Sequence, residues 1–151
     1  MTWGGDSVPP FSSSKELFIL QKRAIRIITN SNVREHCKPL FRQPGIMTLY
    51  GLYIFKCLIN VKVNLDSHKT GADVHHHNTR LKNNLLRPNC RLATTKNSFD
   101  HVKLCLFNHL PHEVRICILR KFKGVLHSWI VTQAFYSLNE FLESNTQNCI
   151  F

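Results

Sequence analysis

The sequence predicts an all-α protein with four to five helices in an irregular bundle and a long basic loop between the second and third main helices. Three observations predict this class. Apolar residues recur at helical spacing in several segments, two Ser-x-x-Glu capping boxes precede apolar runs, and Pro residues fall between those segments. A chain of 151 residues is long enough for one domain with one core.

The first predicted helix covers residues 15–29. Ser13 and Glu16 have the spacing of a capping box, in which each side chain satisfies a backbone N–H of the first turn. At about 100° per residue, five apolar side chains fall within an arc of about 100° and define the expected buried face: Leu17, Leu20, Ala24, Ile27 and Ile28. The opposite face is cationic, with Lys15, Lys22, Arg23 and Arg26. We therefore expect an amphipathic helix with a cationic outer face, which ends at residues 30–32.

The segment that follows contains Pro39 and Pro44, which leave room for at most a short helical turn at residues 33–37. Residues 48–63 differ, because their apolar side chains point almost all round a helix and are interrupted mainly by Lys56 and Lys62. That pattern is typical of a helix buried among others, so we predict the central core helix here. The β-branched residues at 59–63 leave a strand as the alternative.

Residues 65–97 break the periodicity and are predicted to be mostly loop, punctuated by Gly71 and Pro88. A loop of this length is usually functional or disordered. Its basic residues are Lys69, Arg80, Lys82, Arg87, Arg91 and Lys96, and its three adjacent histidines are His75, His76 and His77.

Three helices are predicted after the loop. Ser98 is placed to cap a helix to about His109 that turns Val102, Leu106 and Phe107 inward and ends at residues 110–111. Residues 112–133 predict a longer helix whose buried arc is Leu119, Phe122, Leu126, Trp129 and Ile130. Ser137 and Glu140 form the second capping box, before a short last helix. The domain boundaries expected are a flexible arm at 1–14, a helical region at 15–142 and a tail at 143–151.

The charge balance predicts a polyanionic partner. Twenty Lys and Arg against nine Asp and Glu give a net charge of +11, and each phosphate that such a surface neutralises releases counterions. RNA or DNA is the expected partner, and a basic surface that serves only solubility is the alternative. The candidate nucleic-acid-binding residues are Lys22, Arg23, Arg26, Arg80, Lys82, Arg87 and Arg91. Four aromatic residues are candidates for stacking on bases: Tyr50, Tyr53, Trp129 and Tyr136. Their helical spacing favours core packing instead.

The chain lacks the residue patterns of the common catalytic sites. Two-metal polymerases cluster carboxylates around two cations about 3.5–4 Å apart, whereas the nine acidic residues here are scattered from Asp6 to Glu143. There is no Gly-x-Ser-x-Gly elbow and no Gly-rich phosphate loop. We expect no catalytic residue and no enzyme activity in this chain. No apolar run approaches about 18 residues, so we expect a soluble intracellular protein with no membrane partner.

Metal binding has one weak set of candidate ligands. Cys105, His109, His112 and Cys117 carry thiolates and imidazoles that could close a tetrahedral zinc site. The favoured interpretation is that they bind no metal, because a helix and the Leu-Pro pair between the two histidines make a tight knuckle hard to build. The six Cys form no CxxC pair, and we expect no disulfide framework.

Several strings, taken in order, resemble the C-terminal post-polymerase region of a non-LTR (LINE-type, jockey-like) retrotransposon reverse transcriptase. They cover nearly the whole chain: WGG at 3–5, LQKRAIRII at 20–28, CKPLF at 37–41, IMTLYGLYIF at 46–55, HNTR at 77–80 with RPNCRL at 87–92, LFNHLP at 106–111, FKGVLHSWI at 122–130 and FYSLNEFL at 135–142. The zinc-knuckle pattern of some LINE relatives is absent from the sequence.

The resemblance implies a parent RNA-directed DNA polymerase that nicks target DNA and copies RNA there, with Mg²⁺ as its cofactor. The Asp motif that binds this metal would precede Met1, so no catalytic residue is carried over to this chain. The resemblance also implies the missing polymerase core as a partner and a cytoplasmic or nuclear location. A structural packing module, a non-functional remnant and a reused nucleic-acid-binding protein remain as alternatives.

Overall fold

A computed structural model describes residues 14–74, 82–89, 91 and 98–144. These residues form eight α-helices and one 3₁₀ turn, Leu65–Ser67. The helices are α1 (Ser14–Ile28), α2 (Cys37–Arg42), α3 (Leu49–Val63), α4 (Gly71–Val74), α5 (Phe99–His109), α6 (His112–Ile116), α7 (Leu119–Gln133) and α8 (Leu138–Glu143). In the described residues the only β-type pairing is an isolated bridge between Thr70 and Leu85, so the predicted all-α class is confirmed.

Helix α3 is the central element of the fold. Thr48 caps it by accepting the N–H of Gly51 at 3.0 Å, and the helix packs mainly on α5 and α7. Its buried side chains include Ile54, Cys57, Leu58 and Val61. A Cβ at Gly51 would lie 2.8 Å from Cγ2 of Ile130, so glycine permits the close approach of α3 and α7. The predicted core helix is confirmed, and the alternative of a strand at 59–63 is wrong.

Helices α5, α7 and α8 complete the main core. Ser98 caps α5 by accepting the N–H of His101, and the predicted inward residues Val102, Leu106 and Phe107 are buried. In α7 the predicted arc is buried except for Leu119, which is 37% exposed. The rings of Trp129, Phe135 and Phe141 meet edge to face with centroids 5.3–5.5 Å apart. Edge-to-face contacts of this kind stabilise a core by more than the burial of the ring surfaces alone contributes.

The second capping box is confirmed in a slightly altered form. Ser137 accepts the N–H of Glu140 at 3.1 Å, as predicted. The Glu140 carboxylate reaches back to the N–H of Tyr136, at 2.6 Å, one residue before the expected donor. Both bonds satisfy backbone donors at the start of α8, which explains why so short a helix forms there.

The single helix predicted at 112–133 is wrong, because Cys117 and Ile118 separate α6 from α7. Both residues have extended backbone geometry. The break leaves the carbonyl of Arg115 without a helical partner, and the ammonium of Lys62 donates to it instead. Residues 116–118 are two isoleucines and a cysteine, which are mediocre helix formers. A contact from α3 therefore outweighs a weak local preference for a continuous helix.

The helical turn predicted at 33–37 is also wrong, since the helix in this part of the chain is α2. Pro39 is its third residue, where the missing N–H removes no intrahelical bond because the first four donors have no partner inside a helix. Burial of Leu40 and Phe41 stabilises α2. Proline marks the beginning of this helix and not a break.

Helix α1 forms as predicted but buries a different face. Ser13 of the predicted capping box lies outside the described residues. At the other end, Asn30 is left-handed (φ 51°), and the N–H groups of Ser31 and Asn30 bond the carbonyls of Arg26 and Ile27. These two bonds form a Schellman motif, which confirms the predicted stop.

The face of α1 that was predicted to be buried is exposed. We call it the outer stripe, and it comprises Leu17, Leu20, Ala24, Ile27 and Ile28. Leu20 is 57% exposed and Ile27 is 80% exposed. The residues that α1 buries are Ser14, Phe18 and Ile25. Phe18 and Ile25 belong to a second, smaller cluster with Cys37, Leu40, Phe41, Tyr50 and Ala134.

Two sets of contacts explain this orientation. The Phe18 ring meets Tyr50 and Tyr136 edge to face, at centroid distances of 5.2 and 4.9 Å. The Gln21 amide donates to the carbonyl of Met47 and accepts the N–H of Leu49, at 3.0 and 2.8 Å. A large ring and a paired amide thus decide the rotation of α1 about its axis. None of the described helices is both long and apolar enough to cross a membrane.

Candidate nucleic-acid interface

Two of the three α1 cations that were predicted to bind nucleic acid are engaged by the protein itself. The Lys22 ammonium lies 4.3 Å from the ring centroid of Phe18 and 4.4 Å from that of Tyr136. The Arg26 guanidinium donates through Nε and Nη2 to the carbonyl of Glu35, at 3.2 and 3.0 Å. Arg23 is exposed. The predicted cationic outer face is therefore wrong for Lys22 and Arg26, whose charges serve packing.

The Tyr136 ring is the centre of this packing. Lys38 of α2 lies 5.1 Å from the centroid of the Tyr136 ring and forms an ion pair with Glu140 of α8. Burial raises the pKa of Tyr136 to about 12, so the phenol is neutral at physiological pH. The four aromatics considered for base stacking pack in the fold: Tyr50 and Trp129 are buried, and Tyr53 and Tyr136 are half-buried. Core packing is confirmed for them.

Part of the predicted loop is an ordered, paired segment. Residues 69–72 and 82–86, which we call the loop hairpin, exchange backbone hydrogen bonds. Leu86 donates to Lys69, Gly71 to Asn84 and Ala72 to Lys82, at 2.8–3.0 Å. The Asp73 carboxylate accepts the N–H and the hydroxyl of Thr70, and these bonds lower the pKa of Asp73. Arg80 and the three histidines at 75–77 lie outside the described residues.

Asn108 of α5 holds the loop hairpin against the core. Its Oδ1 accepts the N–H of Leu85 and its Nδ2 donates to the carbonyl of Leu85, both at 2.9 Å. The Leu85 side chain is buried in the main core. Arg115 of α6 adds bonds to the carbonyl of Asn83 at 3.2 Å and to Oδ1 of Asn84 at 3.0 Å, and burial lowers its pKa. One amide thus satisfies both backbone groups of a buried loop residue.

This docking creates a groove between the loop hairpin and α5, which we call the basic groove. Its cations are Lys69, Arg87 and Lys103, and its single carboxylate is Asp100. Lys69 and Arg87 are exposed, whereas the Lys103 side chain is 12% exposed and pairs with Asp100 at 2.7 Å. The remaining lining residues are Ser67, His68, Leu86, Pro88 and Leu104. Lys69 and Arg87 are consequently the groove cations that are freest to contact an anionic ligand.

The structure assembles the candidate site differently from the prediction. Of the six predicted basic residues that the structure describes, which exclude Arg80, only Arg87 lines the basic groove, where its Nη1 also donates to Sγ of Cys105 at 3.4 Å. Lys82 and Arg91 are exposed elsewhere on the described surface. Lys69, Lys103 and His68 were not among the candidates. Lys103 is distant in sequence from the adjacent His68 and Lys69, and none of the three belongs to a motif, so only the docked hairpin reveals that they line one groove.

The structure does not bring the four candidate zinc ligands together. Among the described residues, no group of three or more His, Cys, Asp or Glu side chains is placed to hold a metal ion. The Cys117 thiol donates to the carbonyl of Glu113 at 3.0 Å, and the His109 ring lies 3.3 Å from the carbonyl of Ser144. Cys105 contacts Arg87, and His112 is exposed. The described cysteines are Cys37, Cys57, Cys105 and Cys117, all free thiols.

No protein-family model, no curated protein and no solved structure gives a significant match to the chain.

Proposed function

We propose that this chain is a helical accessory region of a non-LTR retrotransposon reverse transcriptase that binds RNA or DNA through backbone phosphates at the basic groove. The ordered strings that resemble the family support the origin, and the net charge of +11 supports a polyanionic partner. The observation that carries the proposal is the convergence of Lys69, Arg87 and Lys103 from separate segments on one groove. Such a region acts in the nucleus or cytoplasm, where its ligands occur.

The chemistry of the groove suits phosphate. Arg87 offers a planar fork of N–H donors that can hold two phosphate oxygens, while Lys69 supplies a compact charge with three donors. Asp100 compensates Lys103 and so limits its contribution. Contacts of this kind position a nucleic acid without reading its sequence. We propose no catalytic residue for this chain, and Mg²⁺ belongs to the parent polymerase.

The experiment is a titration with single-stranded RNA and duplex DNA at two salt concentrations. In the wild type we expect a plot of the logarithm of the affinity against the logarithm of the salt concentration to fall. Its slope should have a magnitude of about 0.7–0.9 per phosphate contacted. The double variant Lys69→Ala/Arg87→Ala should bind more weakly, and this slope should decrease by about 1.4–1.8. The matched control Arg42→Ala/Lys56→Ala removes the same charge from exposed residues outside the groove.

Two results would contradict the proposal. Equal losses in the two double variants would mean that overall charge, and not the groove, attracts the ligand. No binding even at low salt would remove the nucleic-acid function altogether, and a packing module or a remnant would then be the better description.

The outer stripe of α1 supports a second candidate, a structural module that packs on the parent polymerase core. Four of its five residues are large aliphatic side chains that are 52–80% exposed. Contiguous apolar surface of this kind is typical of an interaction site. In the isolated chain we expect concentration-dependent self-association, measured by sedimentation velocity. The variant Leu20→Gln/Ile27→Gln should reduce it with little change in the free energy of unfolding, and a wild type that stays monomeric at high concentration would refute this candidate.

A further inference from the structure

The lining of the basic groove is not only cationic. Leu86, Pro88 and Leu104 form an apolar part of it, and Leu86 is 39% exposed. A site that held phosphate alone would gain nothing from exposed apolar side chains, because they cannot donate to oxygen. The flat face of a base, by contrast, is stabilised by apolar contact. The groove therefore has a cationic part that can bind phosphate and an apolar part that can contact the face of a base.

His68 adds a polar group to the same lining. Its Nε2 is buried and has no hydrogen-bond partner among the described residues. A buried polar atom without a partner costs free energy, and a rotation of the partly exposed ring that brings Nε2 to a ligand in the groove recovers part of it. An imidazole can donate or accept at this nitrogen, according to its tautomer. The polar edge of a base is a suitable partner for either form.

The size of the groove limits what it can take. Its volume is about 410 Å³, at the lower end of the range of about 300–1,000 Å³ for small-ligand sites. This is adequate for one nucleotide unit. In a duplex each base is stacked and paired, so its faces and its Watson–Crick edge are unavailable to a protein groove unless the base is extruded at a cost.

We propose, on the basis of the nucleic-acid function above, that the basic groove takes one unpaired nucleotide of a single strand. The base lies against Leu86 and Pro88, above the buried Leu104, and the partly exposed His68 ring rotates so that Nε2 bonds its polar edge. The flanking phosphates contact Lys69 and Arg87. The ligand class is thus single-stranded nucleic acid, and duplex DNA binds only through its phosphates.

The test compares three labelled 12-mers at low salt: a single strand, an abasic strand with the same phosphates, and a duplex. We expect the single strand to bind about fivefold more tightly than the abasic strand, since burying about 40 Å² of apolar surface against the aliphatic side chains gives roughly this factor. Leu86→Ser and His68→Gln should each weaken binding of the single strand by a larger factor than binding of the abasic strand. Leu52→Ser is the matched control, because Leu52 is a similarly exposed leucine outside the groove.

The outcomes separate the two proposals. Equal affinity for the single strand and the abasic strand, together with a loss in Lys69→Ala/Arg87→Ala, would overturn the unpaired-nucleotide site and leave the phosphate-binding function intact. No binding of any of the three oligonucleotides at low salt would overturn both. His68→Gln provides a second test if Leu86→Ser fails to fold, as judged by circular dichroism.

Discussion

Helices α1 and α7 are both 15 residues long and both carry an apolar arc of about 100°, yet only α7 buries that arc. In α7, Phe122 and Leu126 are completely buried. In α1, Leu20 and Ile27 lie on the surface, and the helix is attached through Phe18 and Ile25 on a neighbouring face. Periodicity therefore identifies an apolar face correctly in both helices, but it does not tell whether that face has a partner in the chain.

The surroundings of the two helices explain the difference. Helix α7 faces α3 at Gly51, where the backbones approach closely, and its Trp129 joins two phenylalanine rings. Helix α1 packs on the smaller cluster around Phe41, which covers a narrow strip of the helix. The outer stripe is the apolar surface that this cluster leaves uncovered. The second candidate function, a module that packs on a partner, is proposed on this surface.

The largest expected effect is in α7. Phe122→Ala should lower the free energy of unfolding by about 3–5 kcal/mol, because it leaves a cavity under the rings of the main core. Urea unfolding followed by circular dichroism at 222 nm measures the change. A loss below about 1 kcal/mol would mean that α7 is not a core helix, and the contrast with α1 would disappear.

The orientation of α1 is tested by a matched pair of isoleucines in the same helix. Ile25 is 2% exposed and Ile28 is 67% exposed. Ile25→Ala should lower the free energy of unfolding by about 2–5 kcal/mol, whereas Ile28→Ala should change it by less than about 0.5 kcal/mol. The reverse order in urea unfolding would show that α1 packs through the outer stripe after all.

The next effect concerns the amide that holds the loop hairpin. Asn108→Ala leaves the buried N–H and carbonyl of Leu85 without partners and should cost about 1–3 kcal/mol. It should also speed amide hydrogen exchange at Leu85 and weaken binding at the basic groove. Asn139→Ala removes an exposed amide from α8 and serves as the control. Similar exchange rates at Leu85 in both variants would argue against the clamp.

The smallest expected effect distinguishes the two neighbouring cations of α1. Lys22→Met removes the charge above the Phe18 and Tyr136 rings and should lower the free energy of unfolding by about 0.5–1 kcal/mol. Arg23→Met alters an exposed residue and should have no measurable effect in the same assay. If the two variants were equally stable, the ring contacts of Lys22 would contribute nothing.

Local signals in the sequence were sufficient for the helices whose ends they mark. Ser98 and Ser137 cap their helices as predicted, and Asn30 ends α1. For the candidate site the sequence was much less informative, and it identified Arg87 alone among the cations of the groove. Lys69 and Lys103 are 34 positions apart and come together only because Asn108 clamps Leu85 onto α5. No pattern of adjacent residues could have predicted that contact.

The sequence alone determined the all-α class, most helix boundaries and the large positive charge, because capping, periodicity and charge depend on residues within a few positions of one another. Only the tertiary structure decided which face of α1 is buried, where the chain breaks at Cys117 and Ile118, and which cations surround the groove. Those outcomes depend on competition among surfaces that are distant in the chain. The ring of Phe18 and the amide of Asn108 can contact their partners only after the other helices have packed.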